Sequence, residues 1–115
     1  MELLHVTTLS AMAVILREGF VPRIGPRSID IGEQYPATFF FTSREALDSA
    51  SWNWLSEAFE DTVEDLVVIV VELDPAMVHI ATGTEFEARV LIPVPASAIV
   101  RAYDIDTNAE LYRRR

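Results

Sequence analysis

The sequence predicts an α+β fold, built from five or six strands and two helices in a single domain spanning residues 1–115. Two observations support this class. Short runs rich in β-branched and aromatic residues recur along the chain and have the length of strands. Two longer runs place apolar side chains at helical spacing, one ending near Glu18 and one extending from Arg44 to about Phe59. A chain of 115 residues is the usual size for one domain with one hydrophobic core.

The first strand is expected at residues 2–6, and a helix follows it directly. A side-chain oxygen can cap this helix by accepting a backbone N–H bond, and the candidates are Thr7, Thr8 and Ser10. Gly19 stands where helices commonly end on a residue with positive φ. The apolar face follows the i, i+3, i+4, i+7 pattern and consists of Leu9, Met12, Ala13 and Leu16.

Residues 21–36 form the longest stretch without a periodic pattern and contain several prolines and glycines. A loop of this length in a compact domain is usually functional or mobile. A β-rich run at 37–42 comes next, and Ser43 is a suitable N-cap for the second helix. These features predict a long proline- and glycine-containing loop, functional or mobile, between the first helix and the second strand.

The second half of the chain reads mainly as strands. Residues 66–71 are apolar at every position, as expected of a central strand covered on both faces. Weaker β signals cover 78–81, 87–94 and 99–105, and residues 108–115 are predicted to form a short helix. The longest apolar run is far too short to span a bilayer, so no membrane association is expected.

Composition narrows the function further. Cysteine is absent, which excludes disulfides and thiolate metal sites and fits a reducing, cytoplasmic setting. No signal peptide is apparent, and His79 has no partner at metal-ligand spacing, so no metal site is predicted. The formal net charge of -9 argues against general attraction to nucleic acid phosphates. The charge is compatible with a solvated acidic surface, with a basic protein partner, or with mimicry of nucleic acid.

Three short segments carry residues suited to chemistry: His5-Val6-Thr7, the run from Phe39 to Ser43, and Glu85-Phe86-Glu87. An imidazole can donate at one nitrogen and accept at the other. On a strand, alternation places Glu85 and Glu87 on one face, where their charges repel each other. Each segment also has a purely structural interpretation: a strand-ending histidine, core aromatics with a helix cap, and an exposed acidic edge.

The order of these segments resembles the pattern of the ADP-ribosyltransferase superfamily. The opening stretch Leu-Leu-His-Val-Thr, followed by Ile-Leu-Arg-Glu-Gly-Phe, is similar to the start of DNA-targeting ADP-ribosyltransferase toxins and of RNA 2′-phosphotransferases. The resemblance implies a split mixed or antiparallel sheet with two main helices. It also implies NAD as the substrate.

The resemblance assigns roles to particular residues. His5 would bind the ribose hydroxyl of NAD, and Phe41 would line the nicotinamide slot with support from Ser43. Thr7 would help to hold the phosphates. Arg23 or Arg27 would hold the pyrophosphate bidentately. Glu87 would stabilise the oxocarbenium-like state as nicotinamide leaves, much as carboxylates do in glycoside hydrolysis, and Glu85 would assist.

Two functions follow from this sequence. The first is a small mono-ADP-ribosyltransferase-like protein that modifies a macromolecule, protein or nucleic acid, as a toxin or as a phage defence or counter-defence effector. The alternative is a non-catalytic acidic inhibitor on the same fold, which occupies a basic surface of a partner. The two are distinguished by whether His5 and Glu87 face one cleft.

Overall fold

A computed structural model describes residues 1–22, 37–49, 64–80 and 87–114. The chain begins with β1 (Glu2–Thr8), which leads directly into α1 (Leu9–Glu18). Thr8 is the N-cap of α1, because its side chain accepts from the backbone N–H of Ala11 at 3.3 Å. Ser10 donates its backbone N–H and its hydroxyl to the two carboxylate oxygens of Glu64, each at 2.9 Å. The side chains of Glu64 and Thr8 therefore satisfy the N–H groups of Ser10 and Ala11 in the first turn.

One six-stranded sheet organises the described residues, in the order β4-β2-β1-β3-β5-β6, and all neighbouring strands are antiparallel. The α+β class predicted from the sequence is confirmed. Within the described parts of the chain, no helix has the length and hydropathy needed to cross a membrane. The remaining strands are β2 (Thr38–Phe41), β3 (Leu66–Glu72), β4 (Glu87–Val90), β5 (Ile99–Asp104) and β6 (Glu110–Arg113).

Apolar side chains cover both faces of the sheet, since successive strand residues point to opposite sides. On one face, here named the α1 face, the partly buried Met12, Ile15 and Leu16 of α1 pack against a buried cluster. That cluster includes Leu3, Phe40, Ile69, Ala88 and Ile99. The other face, here named the Leu47 face, carries Leu4, Val6, Phe41, Val68 and Val70 around the fully buried Leu47. Helical residues 44–49 supply Leu47.

The central position of residues 66–71 is confirmed. Val67 to Val71 are all at most 1% exposed, because β3 lies between β1 and β5 and both of its faces are covered.

The second helix also begins as predicted: Ser43 accepts from the backbone N–H of Ala46 at 3.0 Å. Arg44 then joins this helix to the end of β5. It donates to the Tyr103 hydroxyl within β5 and to the carbonyl of Ile105 just after it, each at 3.2 Å.

Two local predictions are wrong. The apolar face of α1 is rotated from the predicted one: Ile15 packs inward, whereas Leu9 is 41% exposed. Leu9 is the first residue of the helix. Its backbone N–H donates to the carbonyl oxygen of Asp65, the residue before β3, at a distance of 3.1 Å. The C-terminal segment forms β6 instead of a helix, because a tight turn after Asp104 returns the chain along β5.

The turn explains why β6 pairs with β5. Both Asp106 and Thr107 donate their backbone N–H groups to Asp104 Oδ1 at 2.9 Å. Asn108 follows with a φ of 61°, a conformation that asparagine adopts more readily than most residues. The backbone N–H of Asp104 then bonds the Ala109 carbonyl at 2.9 Å, which starts the ladder with β6.

Candidate functional site

A cleft of about 650 Å³ lies on the α1 face of the sheet. One wall is β1, which contributes His5 and Thr7. The opposite wall is formed by one side of α1 and by the residues that follow this helix. A third wall is formed by Ala37 and the start of β2. The wall residues from these two segments are Ala11, Val14, Ile15, Glu18, Gly19, Phe20, Val21, Ala37, Thr38 and Phe39.

His5 lies where β1 and β2 stop pairing. The two strands are in register at Leu4 and Phe41, and next to that pair His5 Nδ1 lies 2.8 Å from the Phe39 carbonyl oxygen. A carbonyl oxygen can only accept, so Nδ1 is the donor in this bond. Nε2 is consequently the acceptor nitrogen of the neutral ring. The backbone of β2 thus selects one tautomer of His5.

Two phenylalanine rings fix the plane of the imidazole. The His5 ring centroid lies 5.0 Å from that of Phe20 and 5.6 Å from that of Phe40, both in edge-to-face arrangements. Phe20 and Phe40 also meet each other edge-to-face at 5.3 Å. This geometry is favourable for aromatic pairs. His5 is therefore half-buried, and the Phe39 carbonyl and the rings of Phe20 and Phe40 are among the groups that hold it.

Gly19 brings Phe20 into the cleft wall. Its φ is 78°, and its N–H closes α1 on the Ile15 carbonyl at 2.7 Å. A Cβ at this position would lie 2.3 Å from the Val94 carbonyl oxygen, which leaves room only for glycine. Phe20 then forms two backbone hydrogen bonds with Val94, at 2.8 and 2.9 Å. The turn thus ties the end of α1 to the segment after β4.

Among the described residues of the cleft, few are polar. Thr7 and Thr38 are buried, at 9% and 8% exposure, and both lie on the α1 face of their strands. Glu18 lines the cleft at the end of α1, where its side chain is 59% exposed and lies 3.6 Å from the Arg17 guanidinium. With His5 neutral, Glu18 carries the one formal charge among the described residues of the cleft.

The predicted site residues divide between the two faces of the sheet. His5 and Thr7 line the cleft on the α1 face, as part of the prediction requires. Phe41 is buried in the cluster of the Leu47 face. Glu87 is the cross-strand partner of Phe41, so its side chain lies on that same face, while Ala88 packs on the α1 face. The prediction that His5, Phe41 and Glu87 line one site is therefore wrong.

The error has a simple physical origin in strand alternation. Phe40, one position before Phe41, is the β2 aromatic whose ring meets His5. Ser43 is exposed and serves as the cap of the second helix, the role that its structural interpretation gives it. Glu85, Arg23 and Arg27 lie outside the described residues, and their roles stay predictions.

Sequence reasoning did not assign Phe20, Thr38 or Glu18 to a site. A usable signal existed for Phe20, since Gly19 marks the helix end and fixes the next residue beside the cleft. No such signal existed for Thr38, because its place depends on the pairing of β2 with β1 and β4. Among the described residues, no group of three or more acidic or histidine side chains is arranged to hold a metal ion.

Comparisons of the chain with protein-family models, with curated proteins and with solved structures found no match. The apolar walls, from Ile15 and Phe20 among others, suit a flat ring. The hydroxyls and the imidazole can exchange hydrogen bonds with a ligand that carries hydroxyl or amide groups.

Proposed function

We propose that the chain is an ADP-ribosyltransferase-like domain whose cleft binds NAD through its nicotinamide–ribose half. The observation that carries this proposal is the restrained imidazole of His5 in the wall of a concave site. The cleft volume of about 650 Å³ falls within the range of sites for small organic ligands, roughly 300–1,000 Å³. The choice of NAD among such ligands comes from the resemblance of the opening stretch around His5 to that of NAD-using transferases. Because His5 and Glu87 do not face one cleft, the proposal is limited to recognition of NAD.

Each group in the cleft has a role under this proposal. Nε2 of neutral His5 accepts a hydrogen bond from a ribose hydroxyl, since Nδ1 donates to the Phe39 carbonyl. The nicotinamide ring packs against Ile15 and Phe20. The Thr7 and Thr38 hydroxyls can exchange hydrogen bonds with the carboxamide. The chain holds and orients the ligand with these residues and excludes water from its ring.

The proposal differs from the sequence-based hypothesis in the roles of Phe41 and Glu87, which both lie on the Leu47 face. A carboxylate stabilises a developing cation only when it lies close to it, and Glu87 is on the opposite face of the sheet from His5. We therefore assign Glu87 no role in holding NAD. The proposed activity is NAD recognition, and transfer of ADP-ribose to a macromolecule requires a carboxylate other than Glu87.

The test is a titration of the wild-type chain and two variants with NAD. Binding is measured by calorimetry and by changes in amide NMR chemical shifts. His5→Phe keeps a ring but loses both nitrogens, and we expect at least about tenfold weaker binding, equal to about 1.4 kcal/mol. Glu87→Gln is the matched control on the other face and should bind as wild type does. No binding of NAD by the wild-type chain at millimolar concentration would overturn the proposal. Nicotinamide release should be measured in the same samples.

A second candidate function is supported by a different observation. Glu2 and Glu72 are exposed cross-strand partners, and the exposed Asp74 follows closely. Like charges directly opposite each other destabilise a sheet. A basic partner would relieve this repulsion, as expected of an acidic inhibitor. The overall charge of -9 favours the same kind of partner.

A polyarginine peptide is a suitable probe for this second function. The variant Glu2→Gln/Glu72→Gln should bind the peptide more weakly, with a smaller dependence on salt concentration. The control is Glu45→Gln/Asp106→Asn, which removes the same charge from exposed sites elsewhere. Equal losses in the two double variants would indicate general attraction to an acidic surface and would contradict a specific site.

A further inference from the structure

We propose that the outer edge of β6 pairs in antiparallel orientation with β6 of a second copy of this chain, which extends the sheet across a twofold axis. The sheet order places β6 at one end and β4 at the other. The backbone N–H and C=O groups on the outer side of an end strand can pair with another chain. Two strands separate β6 from His5 on β1, so this inference does not depend on recognition of NAD.

The two end strands differ in how their outer edges are bonded. At the β4 end, Arg89 and His79 exchange both backbone hydrogen bonds, each at 2.9 Å. Within the described residues, neither isolated bridge involves β6. Backbone groups alternate in direction along a strand, and the Arg114 N–H donates inward to the Val100 carbonyl at 2.8 Å. The N–H and C=O of Arg113 therefore point to the outer edge.

An irregularity in β6 brings its two charged side chains to the same face of the sheet. Tyr103 and Arg101 lie two positions apart in β5 and share the Leu47 face, where the guanidinium lies 5.2 Å from the ring centroid. Their cross-strand partners are Glu110 and Arg113, and the register shifts between the two pairs. Glu110 consequently accepts from Arg113 Nε at 2.8 Å, although three positions separate them.

The charges of β6 are complementary to those of a second β6. When two copies run antiparallel about their common midpoint, Glu110 of each copy lies opposite Arg113 of the other. Opposite charges directly across a strand pair stabilise it, and like charges destabilise it. A twofold axis perpendicular to the sheet keeps the Leu47 faces of both copies on the same side, so the four charges alternate in sign there. Leu111, which is 44% exposed, then loses contact with water at the centre.

A second copy suits this edge even though the chain is acidic. The formal net charge of -9 makes two copies repel each other over much of their surface. In β6 one acidic residue balances one basic residue, so this repulsion is weakest there. A strand of four residues buries little area beside a standard interface of about 1,600 Å². We therefore expect a dimer that forms as the concentration rises.

The experiment measures mass by sedimentation equilibrium at concentrations up to about 1 mM, which detects weak association. Glu110→Arg and Arg113→Glu should each raise the dissociation constant of the dimer at least about tenfold, because like charges then lie opposite each other. An equimolar mixture of the two variants should associate as wild type does, since each copy supplies the charges that the other lacks. The double variant Glu110→Arg/Arg113→Glu should dimerise by itself.

The matched controls are Glu45→Arg and Arg17→Glu, which make the same charge changes at exposed positions elsewhere. Their dissociation constants should stay close to that of wild type. Amide hydrogen exchange locates the contact: the Arg113 N–H should exchange more slowly as wild-type concentration rises, whereas the Arg89 N–H at the other end of the sheet should not change. Circular dichroism spectra show whether each variant is folded.

Three results would overturn the proposal. The first is a wild-type chain that stays monomeric at about 1 mM. The second is a dimer that both single variants retain, and the third is failure of the folded variants to associate when they are mixed. If a single variant does not fold, the exchange of the Arg113 amide in wild type decides, and a rate independent of concentration would refute pairing through β6.

Discussion

At the scale of single residues, His5 shows how a backbone carbonyl can prepare a side chain for binding. The Phe39 carbonyl fixes which nitrogen donates, and the rings of Phe20 and Phe40 fix the plane of the imidazole. Little conformational freedom is left to be lost when a ligand arrives, which lowers the cost of binding. The histidine itself could be selected from sequence, but its restraints come from residues distant along the chain.

Gly19 provides the first stability prediction. Gly19→Ala should destabilise the fold by at least about 1–2 kcal/mol, the cost of a left-handed backbone at a residue with a Cβ. The added carbon would also meet the Val94 carbonyl at 2.3 Å and the Ala96 nitrogen at 2.9 Å, so the segment after β4 must shift. Urea denaturation measures the loss. Glu18→Ala, at the neighbouring exposed position, should change stability by no more than about 0.5 kcal/mol.

At the scale of elements, Arg44 connects the second helix to the end of β5. Its guanidinium donates to Asp48 at 2.8 Å, to the Tyr103 hydroxyl and the Ile105 carbonyl at 3.2 Å each, and to Asn108 at 3.3 Å. Arg44→Met keeps much of the length and should cost about 1–2 kcal/mol through the lost hydrogen bonds. Arg17→Met is the control, since Arg17 makes one long exposed ion pair. Equal stability of the two variants in thermal unfolding would argue against this connection.

The turn between β5 and β6 should make stability depend on acid. Backbone N–H groups of Thr107 and Asp106 hold the pKa of Asp104 below its ordinary value of 3.8. A lowered pKa means that the ionised carboxylate stabilises the folded state above pH 3.8 and that this contribution is lost as the pH falls through the folded-state value. Wild type should therefore exceed Asp104→Asn in stability at neutral pH. The difference should shrink in strongly acidic buffer, as measured by urea denaturation across pH. A difference that is constant with pH would exclude this role for the carboxylate.

Elements with a strong local signal could be predicted from sequence, and their relative register could not. The apolar run of β3, the cap at Ser43 and the glycine after α1 each depend on a few neighbouring residues. The face on which Glu87 lies depends on how β4 pairs with β2, and a shift of one residue reverses it. Phe41 and Glu87 were therefore predicted on the wrong face, and the α+β class was predicted correctly.

At the scale of the whole molecule, the sheet lies between His5 and Glu87, which the motif order had placed in one site. His5 and Glu87 lie on opposite faces, so His5→Phe and Glu87→Gln should act independently. In a double-mutant cycle on the free energy of unfolding, we expect a coupling within about 0.5 kcal/mol. The changes in the free energy of NAD binding caused by the two substitutions should also add. A coupling above about 1 kcal/mol would show that the two side chains share a site after all.

The strand order also has a consequence for how quickly the cleft can form. β1, which carries His5, pairs along its full length with β3, so that Thr8 meets Leu66 and Glu2 meets Glu72. Contacts between such distant segments require closure of a long loop before they stabilise anything, and chains dominated by them refold in about milliseconds to seconds. The cleft therefore cannot form early from its local segments alone. In stopped-flow refolding, protection of β1 amides and ligand binding should appear together, in the same phase as pairing with β3.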